Sequence, residues 1–258
     1  MLRPCSLPYF LCFLLLSATA PTASALEGSL SDNQIITSDA LGYDLQYRVY
    51  TPPGEHRDMP VLYVTDGQWY IQPGMLHVVL DELIADGTIE PVVAVFVDNR
   101  DPHNLQDNRR NAQFFCNDSY MEFYRSELLP HIESSYPVRA DRRARTILGL
   151  SFGGLNSACF GLLAHDTFHG IAMQSPAIHP IPDMHGLWRG LPKKDLKIFL
   201  STGTQRDNEG STRRLHEILE NKGYDMEYIE VDAGHDWKNW KPLLDDVAVT
   251  FYAKDPAE

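Results

Sequence analysis

The sequence is poor in cysteine, has no cluster of basic residues and shows no spacing typical of a metal site. Of its 258 residues, 4 are cysteine and 22 are lysine or arginine, against 35 acidic residues, which gives a net charge of −13. We expect no nucleic-acid partner, because an acidic chain without a basic cluster is a poor ligand for phosphates. No phosphate-binding or dinucleotide glycine pattern follows a predicted strand. We therefore predict that the protein uses neither a metal nor an organic cofactor.

An apolar stretch near the N-terminus has the features of an export signal. Arg3 precedes the apolar residues 7–16, and small residues follow up to Ala25. This order is typical of a secretory signal peptide, with cleavage predicted after Ala25. The alternative is a membrane anchor, but the apolar run is short for a span. Since no repeat or low-complexity stretch divides the rest, we expect a signal peptide at residues 1–25, one domain at 26–258, periplasmic or secreted localisation, and no stable membrane insertion after cleavage.

Cleavage at this position would leave only Cys116 and Cys159. Cys159 falls in a predicted helix, where a buried free thiol is the expected state. A disulfide is the alternative in an oxidising compartment, although two cysteines do not establish a pair by themselves.

Short apolar runs without alternation recur along the chain and are separated by patterns with helical spacing. The runs are Val61–Val64, Val92–Val97, Thr146–Leu150, Ile171–Met173, Ile198–Leu200 and Tyr228–Val231. Such runs are typical of parallel strands that are covered on both faces. One helix is expected at residues 76–84, and another opens at a capping box, Ser119–Glu122. This alternation predicts an α/β domain with a mainly parallel, doubly wound sheet, whose ligands bind beyond the carboxyl ends of the strands.

A Gly-x-Ser-x-Gly motif stands at a predicted junction between a strand and a helix. The run is Gly149-Leu150-Ser151-Phe152-Gly153. The turn is too sharp for Cβ atoms at the flanking positions, which accounts for the two glycines. The motif alone arises by chance, so the prediction depends on its context. We predict that Ser151 is the nucleophile of a serine esterase.

A nucleophilic serine needs a base, and the base needs an acid that orients it. His235 follows the last predicted strand in a glycine-containing loop, where it can reach Ser151. The acid is expected after the preceding strand, which is followed by Asp207 and Glu209. Asp207 is favoured because it is nearer the strand end and has the shorter side chain. The alternative is that these carboxylates serve only the N-terminus of the next helix.

Two backbone amides are expected to stabilise the oxyanion. One belongs to Phe152, at the start of the helix after Ser151. The other belongs to Gln68, after the turn at Asp66-Gly67, for which an ordinary turn is the alternative. Trp69 and Trp237 are candidates for the walls of a substrate pocket, or else core aromatics.

The long connection at residues 98–117 is expected to overhang the site. It carries Arg100, Arg109 and Arg110, of which Arg109 is our candidate for binding an anionic or phenolic substrate. The alternative is that these arginines pair with nearby aspartates. A second irregular stretch, residues 176–192, is a candidate lid that includes Trp188.

Together these residues resemble the putative-esterase family of α/β-hydrolases, which includes the enterochelin esterases, the feruloyl esterases, esterase D and the mycolyltransferase antigens. The blocks that carry the resemblance are Val64–Trp69, Gly149–Leu155, Gln174–Ala177, Gly203–Asp207, and Gly234–Trp237 with Trp240. The run Asn108-Arg109-Arg110 is most similar to enterochelin-esterase sequences. The resemblance implies an α/β-hydrolase domain, a Ser151–His235–Asp207 triad and an oxyanion hole at Gln68 and Phe152.

The expected function is therefore hydrolysis of a small-molecule ester through an acyl-enzyme, for example a siderophore trilactone or a phenolic or sugar ester. An acyltransferase with the same triad is an alternative, because both reactions share the acyl-enzyme. A non-catalytic binding protein on this fold is a further alternative. The sequence leaves the oligomeric state open.

Overall fold

A sheet of nine strands forms the centre of the computed structural model, which describes residues 26–254. The predicted signal peptide at residues 1–25 lies outside this range. The strands within this range are Ser29–Leu30 (β1), Gln34–Ser38 (β2), Tyr43–Thr51 (β3), Val61–Val64 (β4), Val93–Asp98 (β5), Arg100–Asp101 (β6), Asn104–Asn108 (β7), Arg145–Leu150 (β8), Gly170–Gln174 (β9), Lys197–Gly203 (β10) and Asp225–Val231 (β11). Strands β6 and β7 lie outside the central sheet and form a separate antiparallel pair.

The order across the sheet is β1-β3-β5-β4-β8-β9-β10-β11, with β2 also paired to β3. In the part of this order that runs from β5 to β11, every pair of neighbouring strands is parallel. The strands β1, β2 and β5 run antiparallel to β3. The mainly parallel sheet predicted from the apolar runs is thus confirmed.

Helices cover both faces of the sheet. They are Gly67–Ile71 (α1), Leu76–Ala85 (α2), Arg110–Phe114 (α3), Asp118–Glu122 (α4), Leu129–Ser135 (α5), Phe152–Leu163 (α6), Met184–Gly190 (α7), Glu209–Asn221 (α8), Trp237–Trp240 (α9) and Leu244–Tyr252 (α10). A π-helical segment, Phe123–Leu128, joins α4 to α5. No helix within residues 26–254 is long and apolar enough to cross a membrane.

Each parallel strand sends alternate side chains into two separate apolar cores. In β8, Ile147 packs into a core shared with α5, α6 and α8, whereas Leu148 packs into a core shared with α2 and α10. Both side chains are fully buried. This burial on both faces explains why the strands appear in the sequence as continuous apolar runs.

Two local predictions were wrong, one about the start of a helix and one about a lid. The first residue of α4 is Asp118, and the side chain of Asn117, not Ser119, caps the helix by accepting a hydrogen bond from the Tyr120 amide at 2.9 Å. Trp188 does not belong to a lid over the site, because it is only 1% exposed and packs against Gly161 and Tyr224. A large aromatic ring in an irregular stretch was better explained by core packing.

The expected free thiol at Cys159 was also wrong, because Cys116 and Cys159 form a disulfide. Cys159 lies on α6, and Cys116 lies between α3 and α4. The bond therefore joins the helix that follows Ser151 to the long connection after β5. Sequence spacing alone did not show that these two segments would meet.

Candidate active site

The candidate site lies along the carboxyl edge of the parallel strands. Ser151 directly follows β8 and is the residue before α6. Its backbone has φ 55° and ψ −116°, a conformation that costs energy in any residue with a Cβ atom. Its amide donates to the Gln174 carbonyl at 2.8 Å, which fixes the turn against β9.

The two glycines that flank Ser151 are needed for close contact between backbones. A Cβ atom on Gly149 would lie 2.3 Å from the Gly153 carbonyl oxygen. A Cβ atom on Gly153 would lie 2.8 Å from the Thr65 hydroxyl. Neither position has room for a side chain, as the sequence motif predicted.

His235 reaches Ser151 from the loop after β11. Its Nε2 lies 2.8 Å from Ser151 Oγ. Its Nδ1 is hydrogen-bonded to Asp207 Oδ1. The Trp240 ring packs edge-on against the imidazole, with ring centroids 5.0 Å apart. The imidazole is thus held in line between the serine and the carboxylate, with its side chain 35% exposed.

Asp207 lies beyond the end of β10, and its side chain is completely buried. Its Oδ2 accepts hydrogen bonds from Ser175 Oγ at 2.5 Å, the Gly203 amide at 2.5 Å, Asn239 Nδ2 at 2.9 Å and Thr202 Oγ1 at 3.1 Å. Burial opposes the charged carboxylate, but the bonds from His235, Ser175 and Gly203 outweigh it and lower the pKa of Asp207 to about 2. The alternative acid, Glu209, is the first residue of α8, and its Oε2 has no hydrogen-bond partner among the described residues.

The two amides expected to stabilise an oxyanion both lie in the first turns of helices. Phe152 is the first residue of α6, and Gln68 is the second residue of α1. Amides in a first turn have no acceptor within their own helix and are free to bind an anion. The Gln68 side chain is directed elsewhere, since its Nε2 donates to Asn99 Oδ1 at 3.0 Å. Gly67 allows this approach, because a Cβ atom there would lie 2.5 Å from the Phe96 backbone.

A buried ion pair connects the turn after β4 to the serine turn. Arg110 Nε and Nη2 donate to the two carboxylate oxygens of Asp66, at 2.7 and 2.8 Å. Nη2 also donates to the Leu150 carbonyl at 3.1 Å, one residue before Ser151. The Asp66 side chain is fully buried. Because a bidentate arginine bond fixes direction as well as distance, this pair holds the two predicted oxyanion segments together.

An open pocket of about 430 Å³ lies over Ser151 and His235. Its other lining residues are Trp69, Pro73, Arg110, Leu150, Trp237 and Trp240. Trp69 and Trp237, predicted from the sequence, are thus at the pocket. A larger cleft of about 800 Å³ is lined by residues between 51 and 59 and by Pro137, and it includes neither Ser151 nor His235. Within residues 26–254, no group of three or more His, Cys, Asp or Glu side chains is arranged to hold a metal ion.

Of the three residues predicted to contact the substrate, Trp69 and Trp237 line this pocket and Arg109 does not. Its guanidinium pairs with Asp101 and Asp107 and stacks over the Tyr43 ring, 4.2 Å from the ring centroid. The alternative considered for these arginines, pairing with nearby aspartates, describes Arg109. The guanidinium that is turned toward the serine is that of Arg110, the first residue of α3.

Sequence reasoning gave no role to Asn239 and considered Arg110 only as one of three arginines able to bind a substrate. Ser175 and Trp240 appeared only within blocks of the family resemblance. For Trp240 the sequence held a further indication, because Trp237 and Trp240 are three residues apart in a helix and therefore share a face. No pattern in the sequence indicated Ser175 or Asn239, because their importance depends on which strand ends are neighbours.

Comparison with known proteins places these features in a family. The model of the "Putative esterase" family matches residues 38–251. The iron(III) salmochelin esterase of Escherichia coli is 25% identical over 252 residues, which cover 88% of this chain and 59% of that protein. The chain thus spans somewhat more than half the length of this relative.

Two solved structures share the fold. Enterobactin esterase from Shigella flexneri, solved in the presence of 2,3-dihydroxy-N-benzoyl-serine, has a TM-score of 0.76 and 22% identity, covering 90% of this chain and 60% of that one. A mutant of the feruloyl esterase module from Clostridium thermocellum, complexed with sinapinate, has a TM-score of 0.73 and 18% identity, covering 89% of this chain and 90% of that one. At these identities the likeness shows the fold alone.

Proposed function

The chain belongs to the putative esterase family of carboxylic-ester hydrolases, and on that premise we propose that Ser151, His235 and Asp207 form its catalytic triad. The observation that carries the proposal is the unbroken line of hydrogen bonds from Ser151 Oγ through both imidazole nitrogens to Asp207. A serine hydroxyl is a weak nucleophile until a base removes its proton. This arrangement supplies that base together with the carboxylate that orients it.

The proposed reaction has two halves. His235 Nε2 takes the proton of Ser151 as Oγ attacks the ester carbonyl, and the carbonyl electron pair moves onto oxygen. Collapse of this tetrahedral intermediate expels the alcohol, which receives the proton from His235. Water then attacks the acyl-enzyme in the same way and releases the carboxylic acid. Asp207, ionised through this cycle, stabilises the imidazolium that forms in each half.

The developing oxyanion is proposed to rest on the amides of Phe152 and Gln68. Support for this role comes from their positions in the first turns of α6 and α1. Donors that are fixed before the reaction stabilise charge at little cost in reorganisation. The Arg110–Asp66 pair keeps both turns in place and presents the edge of the guanidinium to the pocket.

Kinetics of two serine variants test the triad. Ser151→Ala is expected to lower kcat for a small aryl ester by about four to six orders of magnitude, as removal of a triad nucleophile does. Ser157→Ala is the matched control, since Ser157 is a buried serine on the same helix whose hydroxyl has no partner among the described residues. That variant should retain wild-type kcat. Activity close to wild type in Ser151→Ala would refute the proposal.

The pocket favours an ester with an aromatic acyl group. Three tryptophans, Trp69, Trp237 and Trp240, line it, and the Arg110 guanidinium lies 5.2 Å from the Trp69 ring centroid. Aromatic walls favour flat apolar groups, and an arginine favours a phenolate or carboxylate beside them. The two small molecules seen with the structural relatives, 2,3-dihydroxy-N-benzoyl-serine and sinapinate, both carry a hydroxylated aromatic ring.

A substrate panel tests this class. We expect kcat/KM for a catecholate trilactone or methyl ferulate to exceed that for an acetylated sugar by at least about tenfold, because burial of an aromatic ring contributes more than 1.4 kcal/mol. Trp237→Ala should reduce this preference while leaving the rate with the acetyl ester. A preference for acetyl esters would contradict the proposed substrate class without contradicting the triad.

Export is proposed from the N-terminal sequence and from the disulfide. Bonds such as that between Cys116 and Cys159 form and persist in oxidising compartments. N-terminal sequencing of the protein recovered from the periplasm or medium is expected to begin at Leu26. Recovery of the intact chain from the cytoplasm would contradict this localisation.

A further inference from the structure

Ser175 lies immediately after β9, between the strands that carry Ser151 and Asp207. It is fully buried and has φ 45°, a left-handed conformation that is unfavourable for a residue with a side chain. Its amide donates to the Ser201 carbonyl at 2.8 Å. The backbone of Ser175 is thus held in an unfavourable conformation by the sheet edge, although the residue does not line the pocket.

The direction of the hydrogen bonds at Ser175 Oγ follows from the chemistry of its partners. Trp240 Nε1 and Asn239 Nδ2 both lie 2.9 Å from this oxygen. An indole N–H and an amide N–H only donate, so together they occupy the two lone pairs of the hydroxyl. The single proton of Ser175 is therefore left for Asp207 Oδ2, at 2.5 Å.

We infer that Ser175 is a positioning residue, whose hydroxyl holds the Asp207 carboxylate so that its Oδ1 faces His235. The same hydroxyl links this carboxylate to Trp240, which forms one wall of the pocket. The inference rests on the proposed triad. Trp240 packs against the imidazole, bonds to Ser175 and lines the pocket, so the wall that meets the substrate and the group that orients the base share one hydroxyl. The segment is fixed further, because Gln174 Nε2 donates to the Trp240 carbonyl at 2.9 Å.

The other groups that face Asp207 do not replace this hydroxyl. They are His235 on Oδ1, and the Gly203 amide, the Thr202 hydroxyl and the Asn239 side chain on Oδ2, with a further backbone bond at Asn208. Asn239 donates to both Ser175 and Asp207 and so depends on the same oxygen for its own placement. Loss of the Ser175 hydroxyl leaves the Trp240 ring N–H without its acceptor and the carboxylate with one donor fewer.

The test is the kinetics of Ser175→Ala with a soluble aryl ester. We expect kcat to fall by about tenfold to a hundredfold, as loss of a hydrogen bond to a charged group does. KM should change little, because Ser175 does not contact the pocket. The acid limb of kcat/KM should move to higher pH, because a carboxylate with fewer donors holds the protonated imidazole more strongly. Wild-type kcat, or a loss confined to KM, would overturn the inference.

Controls separate this role from folding and from the triad itself. Ser201→Ala removes a buried hydroxyl one strand away that has no partner among the described residues, and it should leave both kcat and the pH profile unchanged. If Ser175→Ala does not fold, Ser175→Gly provides the same test, because it also removes the hydroxyl and glycine adopts the backbone conformation at φ 45° readily; an unchanged acid limb in that variant would overturn the inference. If the wild type has no esterase activity, the proposed function fails. If Ser151→Ala is inactive while Ser175→Ala behaves as wild type, only the positioning role fails.

Discussion

Removal of the Cys116–Cys159 disulfide is expected to destabilise the protein by about 4 kcal/mol. The bond closes a loop between residues 43 positions apart. The chain-entropy relation for a loop of this length gives about 13 cal/mol/K, or about 4 kcal/mol at room temperature. For a domain of this size, that corresponds to a Tm decrease of about 8–16 °C. The double variant Cys116→Ala/Cys159→Ala creates the perturbation without leaving an unpaired thiol.

The assay is thermal unfolding of the wild type and the double variant, each with and without a reducing agent. The Tm of the wild type should fall when the disulfide is reduced, whereas the Tm of the double variant should not change with the reducing agent. The kcat of the folded double variant should stay close to wild type at room temperature, because the proposed triad residues are positioned by the ends of β8, β10 and β11. Equal Tm values for both proteins, or two titratable thiols in the oxidised wild type, would refute the reasoning.

Three further outcomes are expected. Arg110→Gln should destabilise the fold by about 3–5 kcal/mol in denaturant unfolding, because it leaves Asp66 fully buried without its partner. Arg109→Gln should cost less, because its partners Asp101 and Asp107 keep part of their surface in water. Equal losses would contradict the assignment. With a pKa of about 2, Asp207 remains ionised down to about pH 3, so its protonation should add no acid limb to kcat/KM above that pH, and a kinetic limb between about pH 3 and 5 would argue against this carboxylate environment. The lowered pKa also implies stabilisation that is complete above about pH 4 and lost as the pH falls through 2. In product analysis with added acceptor alcohols, the free acid should predominate, and transfer to the alcohol as the main product would indicate an acyltransferase.

Much of the fold was predictable because the parallel strands are buried on both faces. The apolar run at Val61–Val64 coincides with β4, and the run at Ile198–Leu200 lies within β10. Ser151 was predictable because two glycines at fixed spacing report a turn with no room for side chains. His235 and Asp207 were predictable in position because catalytic groups in such sheets follow the strand ends. That the three side chains meet is a property of the sheet order, which single runs do not encode.

The residues that were missed depend on contacts between distant segments. Arg109 and Arg110 are equivalent in the sequence, and only the start of α3 decides which one pairs with Asp66. The disulfide depends on the approach of the connection after β5 to α6. Ser175 matters because β9 lies between β8 and β10, so that its hydroxyl faces Asp207 from the neighbouring strand end. Strand order and helix register carry this information, and local patterns report neither.

The most direct test of the account is covalent labelling of the wild type with a fluorophosphonate, followed by peptide mapping by mass spectrometry. The account predicts loss of esterase activity in proportion to one adduct per chain, located on Ser151. The His235→Ala variant should label far more slowly, because the imidazole activates the hydroxyl. Full esterase activity after exhaustive treatment, or an adduct on another residue that accounts for the inhibition, would contradict the central claim.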